Sequence, residues 1–289
     1  THEGINKIIV PSEHAKNGFT KTHYEVTHNI EKTTAEVSCN CPIEVIPYPV
    51  KDITPTELDL QLDTDFNFLA LALLGPRKNL EQTIAWFVKE FKNDKDVGLV
   101  LKTAFGTGSN IDRINTKKVL EDFLEKIDIK DRKCKIYLLH GSLTAEEVHG
   151  LYINPKIKAL VTTTRGEGFG LPLFEASYSG LPVVATDWSA HLDFLTAEVK
   201  QKKTGKLKEK KLFARVEYTL REIDDSVVWE NILVKGSKWA YPSELSFRKQ
   251  IKNVRHNYGM YKKNELIRKK NIVVPKGVNN YGMKLIHLG

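Results

Sequence analysis

Apolar and polar positions along the 289-residue chain fall into two alternating patterns. Short apolar runs of strand length occur at Lys7–Val10, Phe66–Leu74, Val97–Thr103, Lys135–His140, Lys158–Thr163 and Leu181–Thr186. Between the later runs the apolar residues adopt helical spacing. Leu80, Ile84, Phe87, Val88 and Phe91 line one stripe, and Val119, Leu120, Phe123, Leu124 and Ile127 line another, which predicts two amphipathic helices. Thr144 with Glu147 three residues later makes a capping-box pattern, so a further helix is expected from there to about Asn154. Apolar strands separated by amphipathic helices predict an α/β fold, a parallel sheet covered on both faces.

Punctuation in the sequence suggests three segments. Pro42, Pro47 and Pro49 bracket Ile43–Val50, which cannot propagate a helix and reads as an extended connector, placing a boundary near residue 46. Residues 1–46 then end one unit, 47–198 form a complete unit, and 199–289 form an extension. Within the extension, Lys200–Lys211 is expected to be an exposed loop, Leu212–Arg221 a strand and Ser243–Tyr258 a helix. The chain opens at Thr1 without an initiator Met, so an amino-terminal truncation is expected.

Composition narrows the classes. With 41% hydrophobic and 28% charged residues, the chain can bury a core and is neither disordered nor collagen-like. No apolar run approaches the roughly 18 residues of a membrane span, and no basic-then-apolar leader is visible, so a cytoplasmic location is expected. Cys39, Cys41 and Cys134 are odd in number and lack a second pair at zinc-ligand spacing, so they read as free thiols and no metal site is expected. The net charge of +8 hides an asymmetry: residues 199–289 hold 22 Lys and Arg against 8 Asp and Glu. Seven of these cations, Lys200, Lys202, Lys203, Lys206, Lys208, Lys210 and Lys211, crowd into one run. It is either a solvated lysine surface or a peripheral contact with an anionic membrane. Without interleaved aromatic residues for base stacking, nucleic acid is not an expected partner.

The chemistry concentrates in Val161–Leu181, V-T-T-T-R-G-E-G-F-G-L-P-L-F-E-A-S-Y-S-G-L, a strand joined to a helix by a glycine-rich turn. Gly168 and Gly170 let a ligand approach the backbone, and Pro172 suits a first helical turn. A helix starting there aims N–H groups and its positive dipole end forward, which favours an anion such as a diphosphate. Glu167 on the loop and Glu175 inside the helix can reach different parts of one ligand.

Glu167, seven intervening residues and Glu175, continuing into A-S-Y-S-G-L-P-V-V-A-T, resemble the retaining GT-B glycosyltransferases, the glycosyl transferases group 1 family. G-P-R-K-N-L at Gly75–Leu80 is similar to that family's basic loop after the first strand of its donor domain. I-I-V-P-S-E-H-A-K-N-G-F at Ile8–Phe19 looks like the last strand and helix of its acceptor domain, and I-E-V-I-P-Y-P-V like the connector. The resemblance covers about residues 5–198, and more weakly Trp239–Pro242 and the following helix. It implies a Rossmann-like donor domain with the tail of a second Rossmann-like domain. The implied activity is transfer of a hexose from a nucleotide diphosphate sugar to a carbohydrate, lipid-linked or protein acceptor hydroxyl, with retention and with neither cofactor nor metal. By position, Arg77 and Lys78 would hold the diphosphate, and Glu167 would be the catalytic residue against the sugar. Gly168, Phe169, Gly170 and Leu171 would line the donor, Glu175 would bind the ribose, and His140 and Gly141 would form the turn that meets the base.

Two departures stand out. Ala72 and Leu73 occupy the places of a Gly-Arg pair found in many relatives, and most of the acceptor domain would precede Thr1. The rival reading is a non-catalytic nucleotide-sugar-binding module or half-protein, distinguished by whether a second βα half exists upstream. G-T-G-S-N-I at Gly106–Ile111 lacks the third glycine of a dinucleotide fingerprint. The D-x-D of Asp63 and Asp65 precedes a strand instead of ending one, so it reads as a charged loop and not a metal site.

Overall fold

The structure, a computed structural model, describes residues 4–27, 30, 33–49, 51–127, 131–201, 204–230 and 232–271, with 265–271 as backbone alone. In chain order its elements are β1 (Ile8–Val10), α1 (Glu13–Thr20), β2 (His23–Thr27), β3 (Thr34–Ser38), β4 (Ile43–Val45), β5 (Phe66–Leu71) and α2 (Leu80–Phe91). There follow β6 (Val97–Lys102), α3 (Asn110–Lys126), β7 (Lys135–Leu139), α4 (Ala145–Ile153), β8 (Ile157–Val161), α5 (Leu171–Tyr178) and β9 (Val183–Thr186). The remainder are α6 (Leu192–Leu195), β10 (Thr196–Lys200), β11 (Leu207–Lys211), β12 (Ala214–Val216), β13 (Tyr218–Glu222), β14 (Lys238–Pro242), α7 (Glu244–His256) and α8 (Tyr258–Asn271).

Six strands form one parallel sheet in the order β12-β9-β8-β5-β6-β7. The strand period of two sends Phe66, Phe68 and Ala70 of β5 to one face and Leu69 to the other. On the first face they meet Ile84, Phe87 and Phe91 of α2 and Phe247, Ile251 and Val254 of α7. On the second, Leu69 joins Leu151 and Tyr152 of α4 and Leu173 and Ala176 of α5. Both faces are therefore dry, as the continuous apolar runs require. The capping box at the start of α4 is formed by Thr144 and Glu147.

Three expectations change. The lysine-rich run at 200–211 is not an open loop but half of an antiparallel hairpin, with Thr196 opposite Lys211 and Lys200 opposite Leu207. Long lysine stems tolerate strand geometry while their ammonium groups stay in water, so composition alone misjudged this segment. Lys202 and Lys203 lie outside the described residues, as does Val50 of the connector. The strand expected over Leu212–Arg221 splits at Glu217 into β12 and β13. β12 pairs with β9 and buries Ala214 and Val216, so the sheet and its α7 cover continue past the boundary drawn at residue 198.

In the amino-terminal segment, β1 and β4 pair in parallel, α1 packs against them, and β2 and β3 make a separate hairpin. The start of the connector is thus a strand. Its later part runs along α4, where the Thr56 N–H donates to the Glu146 carbonyl at 3.0 Å and Asn154 Nδ2 donates to the Leu58 carbonyl at 3.2 Å. Among the described residues no helix is long and apolar enough to cross a membrane.

Candidate active site

Strand order decides where the site lies. From β5 the chain moves to one side, to β6 and β7, and from β8 to the other, to β9. The carboxyl ends of β5 and β8 therefore flank the topological switch point, the place where open α/β sheets form a crevice that binds ligands. The loop leaving β5 carries Arg77 and Lys78, and the loop leaving β8 carries Glu167. They are fastened together: the Arg165 N–H donates to the Arg77 carbonyl at 2.8 Å, Asn79 Nδ2 to Thr163 Oγ1 at 3.0 Å, and Arg165 Nη2 to Asn79 Oδ1 at 3.2 Å.

Glu167 is the centre of this junction. Its side chain is only 8% exposed, and Lys78 Nζ lies 2.6 Å from Oε1 while Arg77 Nη1 lies 3.3 Å from Oε2. Thr164 Oγ1 donates to Oε1 at 2.8 Å, and Arg77 also donates to the Gly166 carbonyl. Burial alone would raise the Glu167 pKa. The Lys78 ammonium, aided by Arg77 and the Thr164 hydroxyl, overcomes that and holds the carboxyl below its ordinary value. The backbone is fixed too: the Glu167 N–H donates to Ser189 Oγ at 3.0 Å, and Ser189 Oγ lies 3.4 Å from His191 Nδ1. His191 Nε2 is 2.7 Å from the Thr186 carbonyl, which can only accept, so Nε2 carries the proton. Burial lowers the His191 pKa and keeps it neutral. Ser189 has φ of 85°, rare for a residue with a Cβ, so the surrounding contacts hold a strained turn against the glutamate loop.

Gly170 starts α5 at φ of 91°, a left-handed conformation that a side chain would strain. Gly168 is exposed, and its carbonyl accepts from Ser12 Oγ at 2.7 Å, so the start of α1 touches the glutamate loop. The Phe169 side chain is buried against Tyr48, Phe174 and Phe194, at ring separations of 5.1, 5.4 and 5.3 Å. It therefore anchors the loop, and only its backbone remains for a ligand. Leu171 is exposed at the helix start.

Glu175 sits one turn inside α5, where it accepts from the buried Tyr152 hydroxyl at 3.1 Å. Burial, with the Glu175 carboxylate beside it, raises the Tyr152 pKa well above its ordinary value, so the phenol stays a donor. Both residues line a cavity of about 360 Å³, with Leu71, Ala72, Lys102 and Leu143 among its walls.

His140 does not line that cavity. Its side chain is 3% exposed, with Nε2 3.4 Å from Asp112 Oδ1. Asp112 also accepts from the N–H groups of Phe105, Gly106, Thr107 and Gly108 at 2.7–3.2 Å. Burial opposes the charge, yet these N–H groups and Thr116 hold the carboxyl far below its ordinary range. The glycines at 106 and 108 thus wrap an internal carboxylate, which explains physically why this turn is no dinucleotide site. Gly141, at φ of 103°, is the part of the following turn that remains open, with nothing within 4 Å of where a Cβ would stand. Asp63 and Asp65 lie before β5, at the opposite end of the sheet from the crevice, and the Asp65 side chain is 95% exposed. Among the described residues no group of three or more His, Cys, Asp or Glu could hold a metal ion.

Residues 60–212 match the family model of the glycosyl transferases group 1, more than half of the chain. The chain belongs to this family. The serotype-specific mannosyltransferase WbdA of Escherichia coli is 31% identical over 121 residues, which is 42% of this chain but 13% of the relative. The chain therefore spans only a small part of that protein's length. Among solved structures, the sucrose-phosphate synthase of Thermosynechococcus elongatus superposes with a TM-score of 0.58 at 15% identity, over 93% of this chain and 54% of that one. TarM superposes at 0.51 with 19% identity, over 94% and 41%. A trehalose-6-phosphate protein from E. coli bound with UDP-2-fluoro glucose superposes at 0.54 with 9% identity, over 92% and 56%. At these identities the likeness establishes the GT-B fold alone.

Within this member of the group 1 family, sequence reasoning singled out Arg77, Lys78 and Glu167, and the fold brings all three into contact. It missed Tyr152, Lys102 and Ser189. The three consecutive threonines after β8 were a usable signal for hydroxyls beside the glutamate, whose Oε1 accepts from Thr164 Oγ1, whereas Tyr152 looks in sequence like any apolar helix position.

Proposed function

We propose that this glycosyltransferase binds a nucleotide diphosphate sugar in the crevice and transfers a hexose to an acceptor hydroxyl with retention of anomeric configuration. The observation that carries the reading is the Lys78–Glu167–Arg77 cluster, two cations and a carboxylate poised at the switch point beside the start of α5. As the bond to the sugar breaks, negative charge grows on the diphosphate while the ring becomes oxocarbenium-like. Lys78, Arg77 and the amino-terminal end of α5 would stabilise that charge. Glu167, already ionised and oriented by its backbone anchor to Ser189, would accept hydrogen bonds from sugar hydroxyls and turn the ring. Glu175, held by Tyr152, would take the ribose hydroxyls. The 31% identity to a mannosyltransferase supports a hexose donor.

Calorimetry with nucleotide diphosphate sugars tests this. Glu175→Ala is expected to raise the dissociation constant by about 10- to 150-fold, the loss of a charge-assisted hydrogen bond worth roughly 1.5–3 kcal/mol. EDTA is expected to leave wild-type affinity unchanged, because protein cations would already face the diphosphate. Affinity within twofold of wild type in a folded Glu175→Ala protein would remove this assignment. A strict divalent-metal requirement would remove the metal-free mechanism.

The acceptor is carbohydrate, lipid-linked or protein in this reading, and a lipid-linked one would profit from peripheral membrane contact. Lys211 is committed to Asp187 at 2.7 Å, but Lys200, Lys206, Lys208 and Lys210 are exposed on the β10–β11 hairpin. Each cation near an anionic surface contributes on the order of 1 kcal/mol, screened as salt rises. Phosphatidylserine vesicles should therefore co-sediment the protein at low salt, and changing these four lysines to Gln should largely abolish it. Equal partitioning of both proteins would end the membrane proposal.

A further inference from the structure

The cavity beside Glu175 has three polar residues in its wall that nothing above explains, Lys102, Thr103 and His149. Lys102 closes β6, and its Nζ donates to the Gly141 carbonyl at 2.5 Å. An ammonium carries three N–H groups, and among the described residues that carbonyl is the one acceptor within reach. Burial lowers the Lys102 pKa, as expected for a cation whose lost water is incompletely replaced. The next residue, Thr103, is 2% exposed, and its Oγ1 is buried without a hydrogen-bond partner. Buried hydroxyls are nearly always satisfied, so an orphan in a cavity wall is open to a partner supplied by a ligand or a water. In the remaining walls His149 is engaged through Nδ1, 2.9 Å from the Ala145 carbonyl, while Leu71, Ala72, Leu73, Ala104, Leu143 and Val148 offer the apolar surface that a flat aromatic base requires.

We infer that Lys102, with Thr103 beside it, makes this cavity a selector for a nucleobase bearing a ring carbonyl, such as uracil or guanine, over adenine. The inference rests on the reading above, in which Glu175 holds the ribose of a nucleotide donor. A ribose fixed there directs its base into the cavity toward Lys102. The two remaining ammonium N–H groups then meet a carbonyl oxygen and complete their shell. Where uracil and guanine carry an exocyclic carbonyl, adenine, whose acceptors are ring nitrogens, would place an amino group, itself a donor, against a cation that cannot accept. A site built to satisfy a polar group rejects the analogue lacking it far more strongly than an apolar pocket can, because both partners are left unpaired.

The test is calorimetry of UDP, GDP and ADP against the wild-type chain, Lys102→Met, which keeps the stem's packing, and Lys102→Arg. Wild type should bind UDP or GDP at least about tenfold tighter than ADP, the scale of one charge-assisted hydrogen bond. In Lys102→Met the gap should fall to within about threefold, through weaker binding of the carbonyl-bearing nucleotide while ADP is unchanged, and Lys102→Arg should retain it. Equal affinities in wild type, a gap kept in Lys102→Met, or uniform weakening of all three ligands would overturn the inference. The last of these would mean that Lys102 only braces Gly141. Binding of none of the three would instead sink the donor reading, and this inference with it.

Discussion

Lys78→Ala should raise the dissociation constant for a nucleotide diphosphate sugar by about 10- to 150-fold, from loss of a charge-assisted contact worth roughly 1.5–3 kcal/mol. It should also destabilise the unliganded protein, because Lys78 is the nearest partner of a carboxylate that is 8% exposed. Removing one member of a fully buried pair costs about 3–5 kcal/mol. Here Arg77 remains at 3.3 Å on the other oxygen and is itself 43% exposed, so about 1–2 kcal/mol is expected. The pH dependence separates this cause from general damage. In the wild type the Glu167 pKa is depressed, so its stabilising contribution is complete above the ordinary carboxylate range and is lost as pH falls through the depressed value. In the variant, burial outweighs what Arg77 supplies and the pKa moves up. The penalty is then largest at neutral pH and shrinks on acidification, as Glu167 takes up a proton. Thermal melts of both proteins at neutral pH and near pH 5 should show the gap narrowing, whereas a gap that stays constant or widens contradicts this account.

Gly150→Ala is expected to destabilise the fold by about 1–3 kcal/mol, against what helix propensity predicts. Gly150 lies inside α4, where Ala is favoured over Gly by up to about 1 kcal/mol. A Cβ there would stand 2.0 Å from the Thr56 carbonyl oxygen and 3.2 Å from its carbon, with Leu58 Cγ at 3.4 Å. Backbone cannot swing aside as a side chain can. The connector is also pinned to α4 on both sides of the clash, by Thr56 to Glu146 and by Asn154 to Leu58. Steric exclusion therefore wins over propensity. For a chain of this size the loss corresponds to a melting temperature lower by about 3–10 °C. Because α4 also carries Tyr152, displacing the helix should loosen Glu175 and weaken nucleotide binding alongside. An unchanged or raised melting temperature would show that the connector does not pack against α4 as described.

The sequence by itself determined the alternation of strands and helices, since a strand of the sheet must be apolar on both faces and a covering helix on one stripe. It also determined the glutamate loop, because the glycines, Pro172 and the two carboxylates lie within one contiguous stretch. Partnerships between distant segments were decided only by tertiary structure. Arg77 and Lys78 stand 89 residues before the atoms they bind, and they meet because β8 lies beside β5 in the sheet, an order that no local pattern encodes. The single strand read at Leu212–Arg221 is two, because Ala214–Val216 pairs with β9 and Tyr218–Glu222 with β14, partners that no local pattern names. The lysine-rich segment looked like a loop by composition and folds as a hairpin, since cross-strand pairing depends on backbone and side-chain stems and not on charge. His140 resembled a ligand-facing residue by position, yet the Asp112 carboxylate collects it together with four backbone N–H groups. Hydrophobic periodicity records which side of an element is dry. Which charge, hydroxyl or carbonyl waits on that side depends on strand order and loop path, and those are properties of the assembled sheet.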